Sequence, residues 1–242
     1  MVESGSTAET GDPVGDARAL IAERFPQARW AVLAGSVITA ARTAGSDLDI
    51  IILLPIGDPQ APYRESCRFR DWPVELFVHD EQSLAHYRAK ELALRKPHLH
   101  RMVADGVALV GDPSPQQADC RRILSRGPSP LTPDEREYAR YGLTDLLDDL
   151  VHADDPGERT VIAATLWTSV ARAVLDFAGH WSGNGKWLLR ELRALDQALA
   201  DRWLAAHGES AAVEAVAREV LDAMGGPLFD GFHAAGERPP GD

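Results

Sequence analysis

One stretch of the chain, residues 33–54, constrains the fold more than any other. It reads LAGSVITAARTAGSDLDIIILL. An apolar run ends at Gly35-Ser36, and after a spacer of ten residues, 37–46, a second apolar run follows that carries Asp47-Leu48-Asp49. Two apolar runs separated by a glycine-containing break predict two strands joined through a tight turn and a short helical segment. The pattern therefore favours a domain built around a sheet.

The second predicted strand opens with two carboxylates. Successive side chains of a strand point to opposite faces, so Asp47 and Asp49 are expected on one side of the sheet while Leu48 packs on the covered side. Two adjacent carboxylates repel each other unless a cation lies between them, and hard oxygen ligands favour Mg²⁺ or a similar ion. The pair therefore predicts a metal site.

The turn before this strand has the features of an anion site. Gly35 lets the backbone turn tightly and approach a ligand. Ser36 is predicted to open a helix whose free N–H groups and dipole favour a phosphate. We therefore expect phosphate and metal to meet at one place.

Together these features resemble the signature of the nucleotidyltransferase superfamily that includes DNA polymerase beta, which is Gly-Ser, a spacer of this length, and Asp-x-Asp. The family pattern has a third carboxylate on a later strand, and Glu75 in PVELFV matches it. Each piece alone arises often by chance in turns and on solvated faces, whereas the combination is more specific. The alternative interpretation is an acidic patch at a sheet edge without catalysis.

The resemblance implies a set of roles. Asp47, Asp49 and Glu75 would hold two Mg²⁺ ions, and Gly35 and Ser36 would receive the phosphates of ATP or another nucleoside triphosphate. A substrate hydroxyl would attack the α-phosphorus and release pyrophosphate. Glu75 would either accept the proton of that hydroxyl or complete a metal site. The expected product is a small molecule that carries a nucleoside monophosphate, most often AMP.

Residues 14–126 are predicted to form the nucleotidyltransferase domain, a mixed sheet with helices. Predicted helices cover residues 14–25, 81–96, 99–104 and 116–125, and the later strands are predicted at residues 67–70, 74–78 and 107–110. Three prolines and a glycine predict a loop over residues 55–64. Residues 1–13 are acidic and lack the apolar core of a signal peptide, so they are expected to form a flexible leader.

A segment rich in proline and glycine, RGPSPLTP, marks a predicted domain boundary at residues 126–133. Beyond it the strand pattern ends, and helices are predicted at residues 134–151, 158–181, 186–206 and 210–224. They favour a helical domain over residues 133–233, followed by a flexible tail over 234–242. The predicted fold class is therefore α+β followed by α, a mixed-sheet nucleotidyltransferase domain and a four- to five-helix bundle. The resemblance implies this arrangement for antibiotic nucleotidyltransferases such as the kanamycin enzyme.

Lys186 in SGNGKW opens a predicted helix where a cation is unfavourable, because the N-terminal end of the helix dipole is positive. One interpretation is that this side chain binds the phosphates of the nucleotide. The other is an ordinary solvated lysine after a glycine-rich loop. The first is slightly favoured, since local propensity rules are broken most often at functional sites.

The predicted helix over residues 134–151 has an acidic face. Asp145 and Asp149 lie four residues apart and share one side of the helix, near Tyr138 and Tyr141. An aromatic-edged acidic surface suits the ammonium groups of an aminosugar. A run of charges is more often the solvated side of a helix, so this surface has two interpretations.

The histidines and cysteines predict no further site. His98 and His100 diverge on a helix and have no further ligands nearby, so we interpret them as surface histidines. Cys67 and Cys120 are the only cysteines, which favours reduced thiols in the cytoplasm over a disulfide framework. No apolar run approaches the 20 or so residues of a transmembrane helix.

The formal net charge of −12 at pH 7 narrows the range of partners. Proteins that bind a nucleic-acid backbone usually present a basic face, so nucleic acid is disfavoured and a cationic small molecule is favoured. Together with the helical bundle and the resemblance to antibiotic nucleotidyltransferases, this balance implies a hydroxyl of an aminoglycoside-like or other antibiotic as the acceptor.

Three alternatives stay open. The first is a module that binds or modifies a partner protein, as in toxin–antitoxin pairs. The second is an RNA nucleotidyltransferase, and the third is a catalytically silent relative of the family. A bundle of about a hundred residues after the first domain argues against the first, and the intact acidic triad argues against the last. The sequence leaves undecided whether two chains pair as a homodimer.

Overall fold

The computed structural model describes residues 11–236. The chain divides into two compact units, residues 1–126 and residues 127–242. Most of the predicted leader over residues 1–13 and of the predicted tail over 234–242 lies outside the described residues. The two units are a mixed sheet with helices and a purely helical part, which confirms the predicted fold class.

The first unit contains five strands and four α-helices among the described residues. They are α1 Pro13–Arg24, β1 Trp30–Ala34, β2 Leu48–Leu53, β3 Tyr63–Phe69, β4 Trp72–His79, α2 Glu81–Ala93, α3 His98–Asp105, β5 Val107–Gly111 and α4 Ser114–Arg126. Two predictions were wrong in detail. The helix expected from Ser36 is a single 3₁₀ turn, Ser36–Ile38. Strand β3 begins at Tyr63, inside the segment predicted as a loop.

The strand order is β3-β4-β2-β1-β5. Strands β2 and β4 run parallel, and the other neighbouring pairs are antiparallel. The register pairs Asp49 of β2 with Ala34 of β1 on one side and with Glu75 of β4 on the other. Asp49 therefore lies between the Gly35 corner and the third predicted carboxylate.

Strand β2 is apolar along most of its length because the sheet is covered on both faces. Leu48, Ile50 and Ile52 pack in the same cluster as helix α1. Ile51 and Leu53 point to the opposite face and pack with helices α2, α3 and α4. Asp49 shares this second face, since side chains two residues apart point the same way.

Helices α2, α3 and α4 are tied together by a buried polar group. His100 is only 1 % exposed, and its Nε2 accepts a hydrogen bond of 3.2 Å from Arg88 Nε. Arg88 Nη2 donates a second bond of 2.8 Å to Asp119 on α4. The interpretation of His100 as a surface histidine was therefore wrong, because this residue lies on the same buried side of α3 as Leu99 and Val103.

We expect the stability of the first unit to fall when the pH is lowered from about 6.5 to 4. Burial, and then the charge of Arg88, lowers the pKa of His100 to about 4, against an ordinary value of 6.5. Within this window the unfolded chain binds a proton that the folded chain does not, so the free energy of unfolding decreases as the pH falls. A shift of this size corresponds to about 3 kcal/mol.

Urea denaturation at pH 7 and pH 4.5 measures this loss. His100→Gln should reduce it, because glutamine can still accept from Arg88 but does not titrate. His86→Gln on the exposed side of α2 is the matched control and should keep the wild-type pH dependence. Equal losses for the wild type and His100→Gln would contradict the assignment.

The second unit contains five α-helices among the described residues. They are α5 Pro133–His152, α6 Pro156–Phe177, α7 Lys186–Leu195, α8 Gln197–Ala205 and α9 Ser210–Ala223. The single helix predicted over residues 186–206 is therefore two helices. Asp196 is extended between them and caps α8 by accepting a hydrogen bond from the Leu199 N–H, which is the preferred role of aspartate at this position.

Helix α6 provides much of the core of the second unit, where Leu166, Val170 and Leu175 are buried. It is joined to α8 by a reciprocal pair of indoles. Trp167 Nε1 donates to the carbonyl oxygen of Trp203, and Trp203 Nε1 donates to that of Trp167, both at 2.7 Å. The two rings are stacked with centroids 3.9 Å apart, so each buried indole N–H has a partner.

Helix α6 is also the one described helix whose length and hydropathy would allow it to cross a membrane. Length and composition are weak evidence for a membrane span, because the core helix of a soluble protein passes the same test. Leu166, Val170 and Leu175 of this helix are buried in the core of the unit.

Candidate active site

Three carboxylates converge on the second face of the sheet. Ligand atoms of Asp47, Asp49 and Glu75 all lie within 4.8 Å of one another, and the three residues are partly buried. Within residues 11–236 they are the one group of three or more His, Cys, Asp or Glu side chains that converges in this way. Oxygen atoms that share a Mg²⁺ or Ca²⁺ ion are at most about 4–5 Å apart, so this cluster suits a hard divalent cation.

The register of the sheet explains this convergence. Asp49 and Glu75 are direct neighbours on the parallel strands β2 and β4. Asp47 immediately precedes β2 and lies two residues before Asp49, on the same side of the strand. Glu75 therefore faces the acidic pair.

Gly35 forms the corner beside Asp49, and its position admits only glycine. Its backbone has φ +84° and ψ −171°, a region that residues with a side chain avoid. A Cβ atom at Gly35 would also collide with Asp49 Oδ2. The corner therefore brings the backbone directly against the carboxylate.

Ser36 is held in place by a residue that the sequence analysis did not identify. Its Oγ lies 2.9 Å from Oγ of Ser46, which is only 5 % exposed and precedes the acidic pair. Ser46 Oγ also accepts a hydrogen bond from the Thr43 N–H at 3.0 Å. The two ends of the connection between β1 and β2 are thus tied together. The three-residue turn at Ser36 does not provide the helix dipole that was predicted to bind phosphate.

Arg64 is the second residue that the sequence analysis missed. Its Nη2 donates a hydrogen bond of 2.5 Å to Glu75 Oε2, and its guanidinium carbon lies 4.6 Å from the centre of the Phe77 ring. Arg64 and Phe77 are directly paired on β3 and β4. The prediction of a loop up to Arg64 hid this contact, since residues in a loop have no strand register.

A cleft of about 500 Å³ lies beside the acidic cluster within the first unit. Side chains of the sheet line it, among them Asp49 together with Glu75, Phe77 and His79, which alternate along β4. A cleft of this volume is in the range of sites for small molecules. Its position joins the acidic cluster to a space that can hold an organic substrate.

Helices α2 and α3 complete the lining of the cleft. Tyr87 and Glu91 come from α2, and His98 and Met102 come from α3. The ring of Tyr87 contacts that of His79, with centroids 5.5 Å apart. Aromatic and apolar side chains therefore make up much of the surface, with a few polar groups among them.

Burial changes the protonation of these polar groups. It raises the pKa of Glu91 to about 7, although the Leu99 N–H donates to Glu91 Oε2 at 2.7 Å and favours the charged form. It lowers the pKa of both His79 and His98 from 6.5. His79 is 6 % exposed, and its Nδ1 has no hydrogen-bond partner among the described residues. Both histidines are therefore mostly neutral at pH 7 and above.

The structure also describes the residues of the second unit that were predicted to bind phosphate or ammonium groups. Lys186 is exposed and is the first residue of α7. Asp145 and Asp149 are exposed on α5, and the ring of Tyr141 is stacked on Phe232 with centroids 4.0 Å apart. Binding of phosphate by Lys186 and of ammonium groups by the acidic face stay predictions.

No protein-family model matches the chain, and no curated protein matches it. Among solved structures, the chain is similar to the crystal structure of a nucleotidyltransferase-like protein from Exiguobacterium sibiricum 255-15. The two share 14 % sequence identity, with 88 % of this chain and 74 % of that chain covered and a TM-score of 0.45. A likeness this distant carries no functional argument, so the function has to be inferred from the acidic cluster and its surroundings.

Proposed function

We propose that this protein transfers a nucleoside monophosphate, AMP from ATP in the first instance, to a hydroxyl of a small molecule and releases pyrophosphate. The observation that carries the proposal is the convergence of Asp47, Asp49 and Glu75 within 4.8 Å, beside a corner at Gly35-Ser36 that only glycine can form. An acidic cluster next to a partly buried backbone corner suits a metal–triphosphate complex.

The three carboxylates fit Mg²⁺, which prefers oxygen donors and keeps part of its water shell. Asp47 and Asp49 would hold the ions, and Glu75 would complete the site. Held there, Mg²⁺ would neutralise the charge that develops on the triphosphate as the bond to pyrophosphate breaks. At the Gly35 corner the backbone lies directly against Asp49, and the Ser36 hydroxyl, held by Ser46, can donate to a phosphate of the triphosphate.

In the transfer step a bond forms between the acceptor oxygen and the α-phosphorus, and the bond from the α-phosphorus to the pyrophosphate oxygen breaks. The proton of the acceptor hydroxyl must leave. Glu75 is one candidate to accept it, because Arg64 bonds to Oε2 and the other carboxylate oxygen is not part of that ion pair. The same oxygen could instead bind a metal ion, so both roles of Glu75 belong to the proposal.

The finer part of the proposal is a cationic, aminoglycoside-like antibiotic as the acceptor, in a cytoplasmic enzyme, with Lys186 contacting the phosphates. The net charge of −12 and the exposed carboxylates Asp145 and Asp149 support a cationic acceptor.

The test is pyrophosphate release from ATP and Mg²⁺ against a panel of hydroxylated antibiotics, followed by mass determination of the product. We expect release that depends on both the acceptor and the metal, and a product heavier than the acceptor by one nucleoside monophosphate. The proposal fails if the protein, with Mg²⁺ or Mn²⁺ and each of the four common nucleoside triphosphates, modifies no acceptor. Salt-dependent binding of tRNA or co-purification with one partner protein would instead favour the RNA or partner-protein alternative.

A further inference from the structure

The cleft and the Gly35-Ser36 corner lie on opposite sides of Asp49. Strand β1, which ends at the corner, is the neighbour of β2 on one side, and β4 is its neighbour on the other. The cleft is lined by Asp49, by residues of β4 and β3, and by helices α2 and α3. A ligand in the cleft therefore approaches the acidic cluster from the side of Glu75.

This arrangement gives the nucleoside triphosphate and the acceptor separate places on either side of Asp49. The inference rests on the proposed nucleotidyl transfer. In phosphoryl and nucleotidyl transfer the attacking and leaving oxygens are roughly in line with phosphorus. If the triphosphate lies at the corner on the β1 side, the leaving pyrophosphate lies there too. The attacking hydroxyl then has to come from the β4 side, where the cleft is.

The lining of the cleft favours an acceptor with an apolar body. Phe77 on the sheet and Tyr87 and Met102 on the helices present rings and a thioether to the cleft. The Arg64 guanidinium already lies over the Phe77 ring, 4.6 Å from its centre, so a ligand reaches this ring beside Arg64 or after this exposed side chain moves away. A polycationic sugar would leave this surface without a matching partner, whereas an aromatic or aliphatic body would bury it. The lining of the cleft therefore favours a less highly charged acceptor than the aminoglycoside-like one named above.

Glu91 distinguishes this cleft from a purely apolar one. Its Oε2 accepts the Leu99 N–H at 2.7 Å, which holds the carboxyl group in place, and a carboxylate has further acceptor positions for a ligand. His79 lines the same cleft and is only 6 % exposed. Its Nδ1 has no hydrogen-bond partner among the described residues. Burial lowers the pKa of both histidines of the cleft, so the positive charge that acts on Glu91 is that of Arg101, which favours the ionised carboxylate. Polar atoms held in this way among apolar walls are typical of a binding site for a small organic molecule.

We infer that the cleft is the acceptor site and that it takes an amphipathic hydroxyamine, a molecule with a hydroxyl group, an apolar body and one basic nitrogen. The hydroxyl lies at Asp49 and Glu75, the body packs on Phe77, Tyr87 and Met102, and the ammonium group pairs with Glu91. Glu91 is thus the specificity-determining residue for the acceptor. Burial raises the pKa of Glu91 to about 7, and an adjacent ammonium group favours its ionised form.

The test compares two probes that differ in one charge. 4-(Aminomethyl)benzyl alcohol carries the hydroxyl, the ring and the amine, and 4-methylbenzyl alcohol lacks only the amine. Their binding to the full chain is measured by calorimetry at pH 8, without nucleotide or metal, so that Glu91 is ionised. We expect the amine to bind about tenfold more tightly than the neutral probe, the size of effect that one ion pair with aromatic neighbours provides.

Two variants and one control locate the effect. Glu91→Gln should lose the preference for the amine and keep the affinity for the neutral probe, because the amide oxygen can still accept from the Leu99 N–H. Met102→Trp should fill the cleft and weaken both probes. Glu23→Gln, at an exposed position of α1, should bind as the wild type does. Equal binding of the two probes to the wild type, no binding of the amine, or an intact preference in Glu91→Gln would overturn the inference.

A wrong acceptor site and a wrong reaction would give different results. Binding that prefers the amine and depends on Glu91, in a protein that transfers no nucleotide, would leave the cleft as a hydroxyamine site and reject nucleotidyl transfer. Transfer to some acceptor that requires Asp49, with no discrimination between the probes, would support the reaction and reject this acceptor site.

Discussion

Asp49→Asn is expected to reduce nucleotidyl transfer by about a thousandfold or more and to leave the fold intact. Asp49 is the central member of the acidic cluster, between the Gly35 corner and Glu75. Asparagine is nearly isosteric but lacks the charge that holds a divalent cation. Metal-ion catalysis contributes several kcal/mol to such reactions, and each 1.4 kcal/mol is about a factor of ten in rate.

Pyrophosphate release measures the activity, and Mn²⁺ binding followed by electron paramagnetic resonance measures the site directly. The melting temperature should not fall, because the substitution relieves repulsion among three neighbouring carboxylates. Asp71→Asn, in the exposed turn between β3 and β4, is the control and should keep both activity and metal binding. Wild-type turnover or wild-type Mn²⁺ affinity in Asp49→Asn would remove the acidic cluster from the mechanism.

The second large effect is expected for Gly35→Ala. The backbone of Gly35, at φ +84° and ψ −171°, costs a residue with a side chain about 1–3 kcal/mol. The new methyl group would also displace the Asp49 carboxylate, which it cannot avoid at this corner. A displacement of about 1 Å at a reacting centre can cost about a hundredfold in rate. We therefore expect lower stability together with a loss of transfer of about that size.

Gly57→Ala separates the two causes. Gly57 also has a positive φ, +74°, but a Cβ atom there would meet nothing within 4 Å. This variant should lose some stability through its backbone and keep its activity. If Gly35→Ala is as active as Gly57→Ala, the corner is not part of the site. Urea denaturation and pyrophosphate release on both variants decide the question.

Local patterns could predict that Asp47 and Asp49 share one side of a strand and that Glu75 lies on another strand. Asp47 and Asp49 are two apart beside an apolar run, and Glu75 is flanked by apolar residues, so the strand period alone orients each of them. The pairing that places Asp49 opposite Glu75 could not be read in the same way. It depends on β2 and β4 being parallel neighbours, which is a property of the whole sheet.

Other features of the site depend on tertiary contacts that leave little local signal. Arg64 reaches Glu75 only because β3 starts earlier than its prolines suggested, and Ser46 matters only because the loop folds back to Ser36. The turn at Ser36 was predicted as a helix because the spacer has no strong helix breaker until Gly45. His100 was misread because a polar residue on an amphipathic helix is more often solvated than buried.

The reciprocal indoles of Trp167 and Trp203 make the second unit optically distinct. Two stacked rings with centroids 3.9 Å apart are close enough for their electronic transitions to couple, so we expect a band in circular dichroism that arises from the pair. Because one ring comes from α6 and the other from α8, that band exists only while the two helices are docked. It therefore offers an intrinsic spectroscopic reporter for the melting of the helical unit, without any added label.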